Sequence, residues 1–314
     1  MLNKIANRQV MCDVLIQKAK DDSNILVLTS DSRGSASLGN FAKELPKQIV
    51  EVGIAEQNIV SIAAGLALNG KRPFVASPAC FLSMRSIEQV KVDVAYSNKN
   101  VKLVGISGGV SYGALGMSHH SLQDLAVTRA IPNLQVFMPS DRHETKAMFE
   151  YLATSNEPAY IRLGRNPVED VFDETYKTFE VGKAIQVHEG DEITFIAAGE
   201  TLRIALDAAV LLESEGIYAR VLNMPSIKPF DKQSVIKAAK ETKHIITIEE
   251  HSVHGGLGSA VCECVSEDAL ATVKILAIPD ESIVSGNSEE VFKHYGLTKE
   301  NICNIAKKII GKGE

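Results

Sequence analysis

Several places in the sequence put reactive side chains where they could act on a ligand. Glu56 stands in Val50-Glu-Val-Gly-Ile-Ala-Glu-Gln-Asn58, at the start of an apolar helical pattern that runs to Leu68. A carboxylate in a first helical turn can simply complement the helix dipole. Among apolar neighbours such as Val52, Ile54 and Ile59 it can instead be a buried acid of raised pKa, able to donate to a ring nitrogen. Ser107-Gly-Gly-Val-Ser-Tyr-Gly-Ala-Leu-Gly-Met-Ser-His-His120 follows an apolar strand and holds four glycines. It reads either as a surface loop or as a functional one, since long loops inside compact domains commonly carry function. Its glycines would let the backbone approach a ligand closely, and its terminal pair, His119 and His120, could move protons.

Phe81 follows a strand ending at Ser77 and is either core or a platform for a ring. Arg165 opens a loop after another strand. There it is either solvated or part of a phosphate site built from charge-assisted hydrogen bonds. His251 and His254 precede Gly255-Gly-Leu-Gly258, where a structural role is the plainer reading. Neither glycine run has the GxGxxG spacing of a dinucleotide site, and no metal-binding constellation stands out.

Positioning such side chains requires a regular frame, and the chain alternates β-rich runs with helical patterns. Strands are expected over 24–29, 73–77, 101–106, 134–138 and 159–163, and helices over 55–68, 82–96 and 141–153. Segment 164–178 breaks the pattern. A second series follows, with strands over 193–197, 219–223, 244–248 and 273–277 and helices over 202–214, 232–241 and 257–266. Strands alternating with helices imply parallel sheets, hence two doubly wound α/β domains. The boundaries expected are 1–165 for the first domain, 166–181 for a linker and 182–314 for the second. In open parallel sheets ligands bind beyond the carboxyl ends of the strands, which is where Phe81, the 107–120 loop and Arg165 fall.

The 314 residues are 45% hydrophobic and 23% charged, with a net charge of -6 and no Lys/Arg stripe. Nucleic acid is therefore an unexpected partner. The longest apolar run, 59–68, is too short to span a bilayer, and the first residues do not read as a secretory signal. Cys12, Cys80, Cys262, Cys264 and Cys303 are odd in number and form no CxxC pair. They are expected to be reduced thiols in a cytoplasmic protein.

In order and spacing, Val52-Gly-Ile-Ala-Glu-Gln-Asn58, Gly116-Met-Ser-His119, Leu134-Gln-Val-Phe-Met-Pro-Ser-Asp141 and Ile248-Glu-Glu-His-Ser-Val-His-Gly-Gly-Leu-Gly258 resemble the transketolase family of thiamine diphosphate enzymes. The resemblance runs from about Asn7 to Gly258 and covers the family's pyrimidine-binding and C-terminal domains. It implies that Glu56 shares a proton with the cofactor's aminopyrimidine ring. Phe81 would stack on that ring, with Ile54 also in the cofactor site. His119 would lie near the substrate oxygens with His120 beside it, and Arg8, Ser35 and Arg165 would take the substrate's terminal phosphate.

The chain departs from the family pattern in ways that bear on the substrate. Leu115 stands where transketolases usually carry a sugar-reading aspartate, and Ser107 where the family often has a histidine. The Gly-Asp-Gly…Asn motif that holds the diphosphate and its divalent metal (Mg or Ca) is also missing, so that domain is expected from a partner chain. The implied protein is the C-terminal-half subunit of a split, two-chain transketolase, an α2β2 heterotetramer acting on sugar phosphates. Alternatives are a 1-deoxyxylulose-5-phosphate-synthase-like enzyme, a transketolase for a branched or sulfonated ketose, and a non-catalytic regulatory subunit.

Overall fold

The computed structural model describes residues 5–268 and 271–313. Its strands are β1 (Ile25–Thr29), β2 (Ile49–Glu51), β3 (Arg72–Pro78), β4 (Lys102–Ile106), β5 (Gln135–Phe137), β6 (Ala159–Leu163), β7 (Ile185–His188), β8 (Ile193–Ala197), β9 (Ala219–Asn223), β10 (Ser226–Lys228), β11 (His244–Ser252) and β12 (Thr272–Ile278). They form a seven-stranded sheet in the order β10-β5-β6-β4-β3-β1-β2 and a five-stranded sheet in the order β12-β11-β8-β9-β7. Pairing is parallel except for β10 on β5 and β7 on β9. Strands β4, β6 and β8 are buried throughout. Strands covered on both faces carry mostly apolar runs instead of an alternating pattern; β4 and β6 each add one buried cation, Lys102 and Arg162. Among the described residues no helix is long and apolar enough to cross a membrane.

The expected helix over 82–96 is instead broken. It runs as Ala79–Met84, then Ile87–Gln89, then a wider π turn over Val90–Tyr96. The hydroxyls of Ser83 and Ser86 donate back to the carbonyls of Ala79 and Leu82, and such back-bonding competes with the helical ladder. The helices Asn7–Asp21, Ser288–Tyr295 and Lys299–Ile309 and the short strands β2, β7 and β10 lie outside the expected elements.

The segment joining the two sheets contains neither helix nor strand between β6 and β7, yet it is stitched to both. Phe179 is buried, its ring 5.2 Å from that of Phe137 in the first sheet. Asp141 does the rest. Its Oδ1 caps the Arg142–Thr154 helix by accepting the N–H groups of His143 and Glu144, both at 2.9 Å. Its Oδ2 accepts the N–H groups of Val171 and Phe172 at 2.8 Å. One turn on, the buried Glu144 accepts from Ser140 N–H at 2.7 Å and from Asn223 of β9 at 2.8 Å. Burial pushes its carboxyl up to about 7 against these hydrogen bonds. The helix start thus pins the linker and the second sheet together.

Asp141→Ala removes a helix cap and strands two linker N–H groups. It should cost about 1.5–5 kcal/mol, from an N-cap of ~0.5–2 plus ~1–3 for the two part-buried donors left unsatisfied together. Urea unfolding checks this; a change below about 1 kcal/mol would mean the linker is not anchored there.

Candidate active site

Glu56 opens the Glu56–Leu68 helix and is 2% exposed. The helix buries Ile59, Val60, Ala63 and Ala64 against the first sheet, which draws its first carboxylate inward. The carboxylate is not alone: Arg85 donates from Nη1 to Glu56 Oε2 at 2.6 Å. The same guanidinium lies over the Phe81 ring, 4.4 Å from its centroid. Phe81 in turn meets His119 edge-on at 5.2 Å, and His119 meets Tyr112 at 5.4 Å. Arg165 lies over the Tyr112 ring at 5.3 Å. Beyond it, Arg8 donates from Nε to the Arg165 carbonyl at 3.0 Å and from Nη1 to the Ser35 carbonyl at 2.5 Å. Residues spread from position 8 to position 165 therefore form one continuous strip, with a carboxylate at one end, aromatic rings in the middle and two guanidinium groups at the other.

The far end of the strip holds two guanidinium groups side by side. Burial, and then the positive charge of Arg165 beside it, lowers the Arg8 pKa from its ordinary value. Two adjoining cations repel unless an anion joins them. Glu200 lies behind them, but burial and the nearby Glu250 push its carboxyl up to about 8.

The 107–120 loop is held differently from the sequence expectation. A side chain at Gly108 would collide with Arg162, and one at Gly109 with the Glu250 carboxylate. These two glycines bring the backbone against the protein's own buried charges. Glu250 also accepts the N–H of Val110 at 2.8 Å. The loop is thereby anchored to the second domain at one end, while Leu115 and Met117 further along are 55% and 57% exposed.

His120 does not join the strip. It is 4% exposed, with Nε2 on the Gly113 carbonyl at 3.2 Å. Its Nδ1 is buried without a hydrogen-bond partner, and burial lowers its pKa. Ile54 is 73% exposed beside Glu56 in the chain. Ser107 is fully buried at a positive φ of 58°, its hydroxyl unpaired. His251 is also fully buried, held on the Ser252 carbonyl with its pKa lowered by burial to about 4. Among the described residues no group of three or more His, Cys, Asp and Glu stands together as a metal site.

Sequence reasoning passed over Arg85 and Tyr112, the links that make the strip continuous. Arg85 lies four residues after Phe81, the separation that puts side chains on one helix face, and that spacing was the available signal.

The family models match both halves of the chain. The transketolase pyrimidine-binding domain covers residues 3–169 and the transketolase C-terminal domain covers 182–302. Over 310 residues the chain is 51% identical to one of the subunits of an apulose-4-phosphate transketolase from Phocaeicola vulgatus, covering 99% of both. It is 35% identical to a 6-deoxy-6-sulfo-D-fructose transketolase subunit from a Clostridium species, over 96% of this chain and 94% of that one. A solved split-gene transketolase, described as an inactive beta4 tetramer, superimposes with a TM-score of 0.90 at 36% identity, covering 99% of this chain and 100% of that one. The transketolase of Leishmania mexicana shares the fold at a TM-score of 0.84 and 21% identity, over 99% of this chain and 47% of that one. Matched in both domains and along its whole length, this chain belongs to the transketolase family, as a C-terminal-half subunit of the split form.

Proposed function

We propose that this transketolase subunit supplies the pyrimidine and substrate half of an active site shared with a diphosphate-binding partner, and that its donor is a branched ketose phosphate of the apulose 4-phosphate type. The continuous strip from Glu56 to Ser35 carries the first part of this reading. The pairing of Leu115 with the 51% identical apulose-4-phosphate relative supports the second.

The residues fit a planar nitrogen heterocycle. A flat, N–H-donating group already satisfies Glu56 and lies on Phe81 at once, in the form of the Arg85 side chain. When bound, thiamine diphosphate supplies the carbon nucleophile and the electron sink that open the ketose carbon–carbon bond. Glu56 holds the proton shared with a ring nitrogen of the cofactor, and its low exposure keeps competing water away. Phe81 offers a face for the ring, with Ile54 flanking. His119 stands between Phe81 and Tyr112, where its imidazole can hold or move a proton at a sugar oxygen. Arg8, Arg165 and Ser35 take the terminal phosphate. A partner chain brings the diphosphate site and its Mg or Ca ion, in an α2β2 assembly. The exposed Ile54, Leu115 and Met117 around the strip offer apolar surface to that partner.

Where ordinary transketolases read a sugar hydroxyl with a carboxylate, this chain presents the exposed side chain of Leu115. Leu accepts no hydrogen bond, and burying an unpaired hydroxyl costs about 1–3 kcal/mol. A ketose lacking or displacing that hydroxyl avoids the cost, and a branched carbon skeleton does so. His120 bonds the Gly113 carbonyl of its own loop, which favours this reading over one in which it replaces the missing carboxylate.

In the reconstituted complex, Glu56→Gln should leave folding intact and reduce turnover by about 10²–10⁴-fold, the usual weight of a positioned acid–base group. Steady-state kinetics retaining more than about a tenth of wild-type turnover would reduce Glu56 to a helix-dipole residue. Arg165→Ala should lower kcat/KM for phosphorylated sugars by roughly 10–150-fold, from a charge-assisted hydrogen bond of ~1.5–3 kcal/mol. The effect on unphosphorylated sugars should be small, and equal losses for both would remove the phosphate role. Leu115→Asp should shift kcat/KM about tenfold or more towards xylulose 5-phosphate relative to the branched donor, the lower end of a discriminating hydrogen bond. An unchanged ratio in a donor panel would sink the specificity reading.

A further inference from the structure

Arg85 takes part in the site without a role in the transfer chemistry. A carboxylate as buried as Glu56 is costly unless paired. In this chain the pairing comes from one side chain, half exposed, reaching in from the break between two short helices. The guanidinium is planar, donates N–H to Glu56 at 2.6 Å, and stacks 4.4 Å from the centroid of Phe81. On the proposed reading the cofactor ring shares planarity and the Phe81 face with this guanidinium, and it shares a proton with the carboxylate oxygen that Arg85 holds by donating to it. Arginine stacks readily on aromatic faces and gives up hydration more easily than lysine. It can therefore satisfy an acid and cover a ring at the same time.

We propose that Arg85 is a built-in stand-in for the cofactor's aminopyrimidine ring: it occupies the Glu56–Phe81 slot in the unloaded subunit and must swing out when the cofactor enters. The inference rests on the reading of Glu56 and Phe81 as the pyrimidine site. It gives Arg85 two opposed effects. In the unloaded subunit it stabilises the site by neutralising Glu56. During loading it competes with the incoming ring, so part of the binding free energy goes into displacing it. The side chain has somewhere to go. Its 44% exposure puts it at the mouth of the slot, and its position after Met84, at a helix end, leaves the stem free to rotate outward.

The test uses the complex reconstituted with the diphosphate-binding subunit and magnesium, with thiamine diphosphate binding measured by calorimetry for the wild type, Arg85→Ala and Arg85→Lys. Thermal unfolding of the subunit alone and of the saturated complex is measured in parallel. Displacing a half-exposed ion pair is worth about fivefold in affinity. Arg85→Ala should therefore bind about fivefold tighter than wild type. Arg85→Lys, which keeps the charge but loses the flat stacking surface, should fall between them. The midpoint of Arg85→Ala should drop in the subunit alone and match wild type in the saturated complex. Equal or weaker binding by Arg85→Ala, with the wild type binding normally, overturns the stand-in and makes Arg85 a framework residue or a direct cofactor contact. Failure of the wild-type complex to bind at all overturns the pyrimidine-site reading itself, and the stand-in with it.

Discussion

The arrangement depends on one buried cation. Arg162, in β6, is 2% exposed and lies where the two domains meet. Its Nη2 donates to the Glu250 backbone carbonyl at 2.5 Å, and the guanidinium lies 3.7 Å from the Asp124 carboxylate and 3.6 Å from that of Glu250. Tyr160, two residues back on the same strand, donates to the other oxygen of Asp124 at 2.7 Å. A guanidinium in this position needs its counter-charges, since breaking a buried pair typically costs about 3–5 kcal/mol. The requirement propagates. Arg162 sets the height of the loop at Gly108, and Glu250 sets it at Gly109 and Val110. That loop carries Tyr112, Leu115 and His119. Three residues beyond Arg162 is Arg165, at the anion end of the strip. The second domain, which contributes none of the residues in the strip, thus fixes the loop that does.

The strip itself is polarised. Glu56 marks one end and the Arg8–Arg165 pair the other, separated by the stacked rings of Phe81, His119 and Tyr112. On the proposed reading, a substrate with an anionic tail would set that tail at the Arg8–Arg165 end. On that reading, charge would set the substrate's orientation. Hydroxyl recognition is a separate and weaker layer, and it is the layer in which Leu115 and Ser107 depart from the family pattern.

Much of this was legible in the sequence. The buried parallel strands announce themselves as mostly apolar runs such as Ile193–Ala197. Glu56, Phe81, His119 and Arg165 fall at strand ends or helix starts, where open sheets expose side chains. Short edge strands such as β7 and β10 were not legible, because three or four residues hold too few side chains to show a period. The meaning of Gly108 and Gly109 was hidden too. Close approach was readable from their type, but the object approached is Arg162 and Glu250, distant in sequence and recruited by a buried charge. Arg85 was missed for a similar reason. An arginine in an amphipathic pattern reads as solvated, and nothing local reveals that its head reaches Glu56, some thirty positions back.

β10 belongs by sequence to the second half of the chain but forms the edge of the first sheet, antiparallel to β5. Lys228 at its end reaches back to the carbonyls of Arg129 and Ile131. The two domains therefore interpenetrate, and the apparent hinge between them is a poor seam. A recombination event that exchanged the second half for that of a distant relative would also replace an edge strand of the first sheet and Glu250, one of the two carboxylates facing Arg162. Modular shuffling, which works for domains joined like beads, would here be constrained to partners already matched on both counts. The pair of domains is thus expected to be inherited as one block.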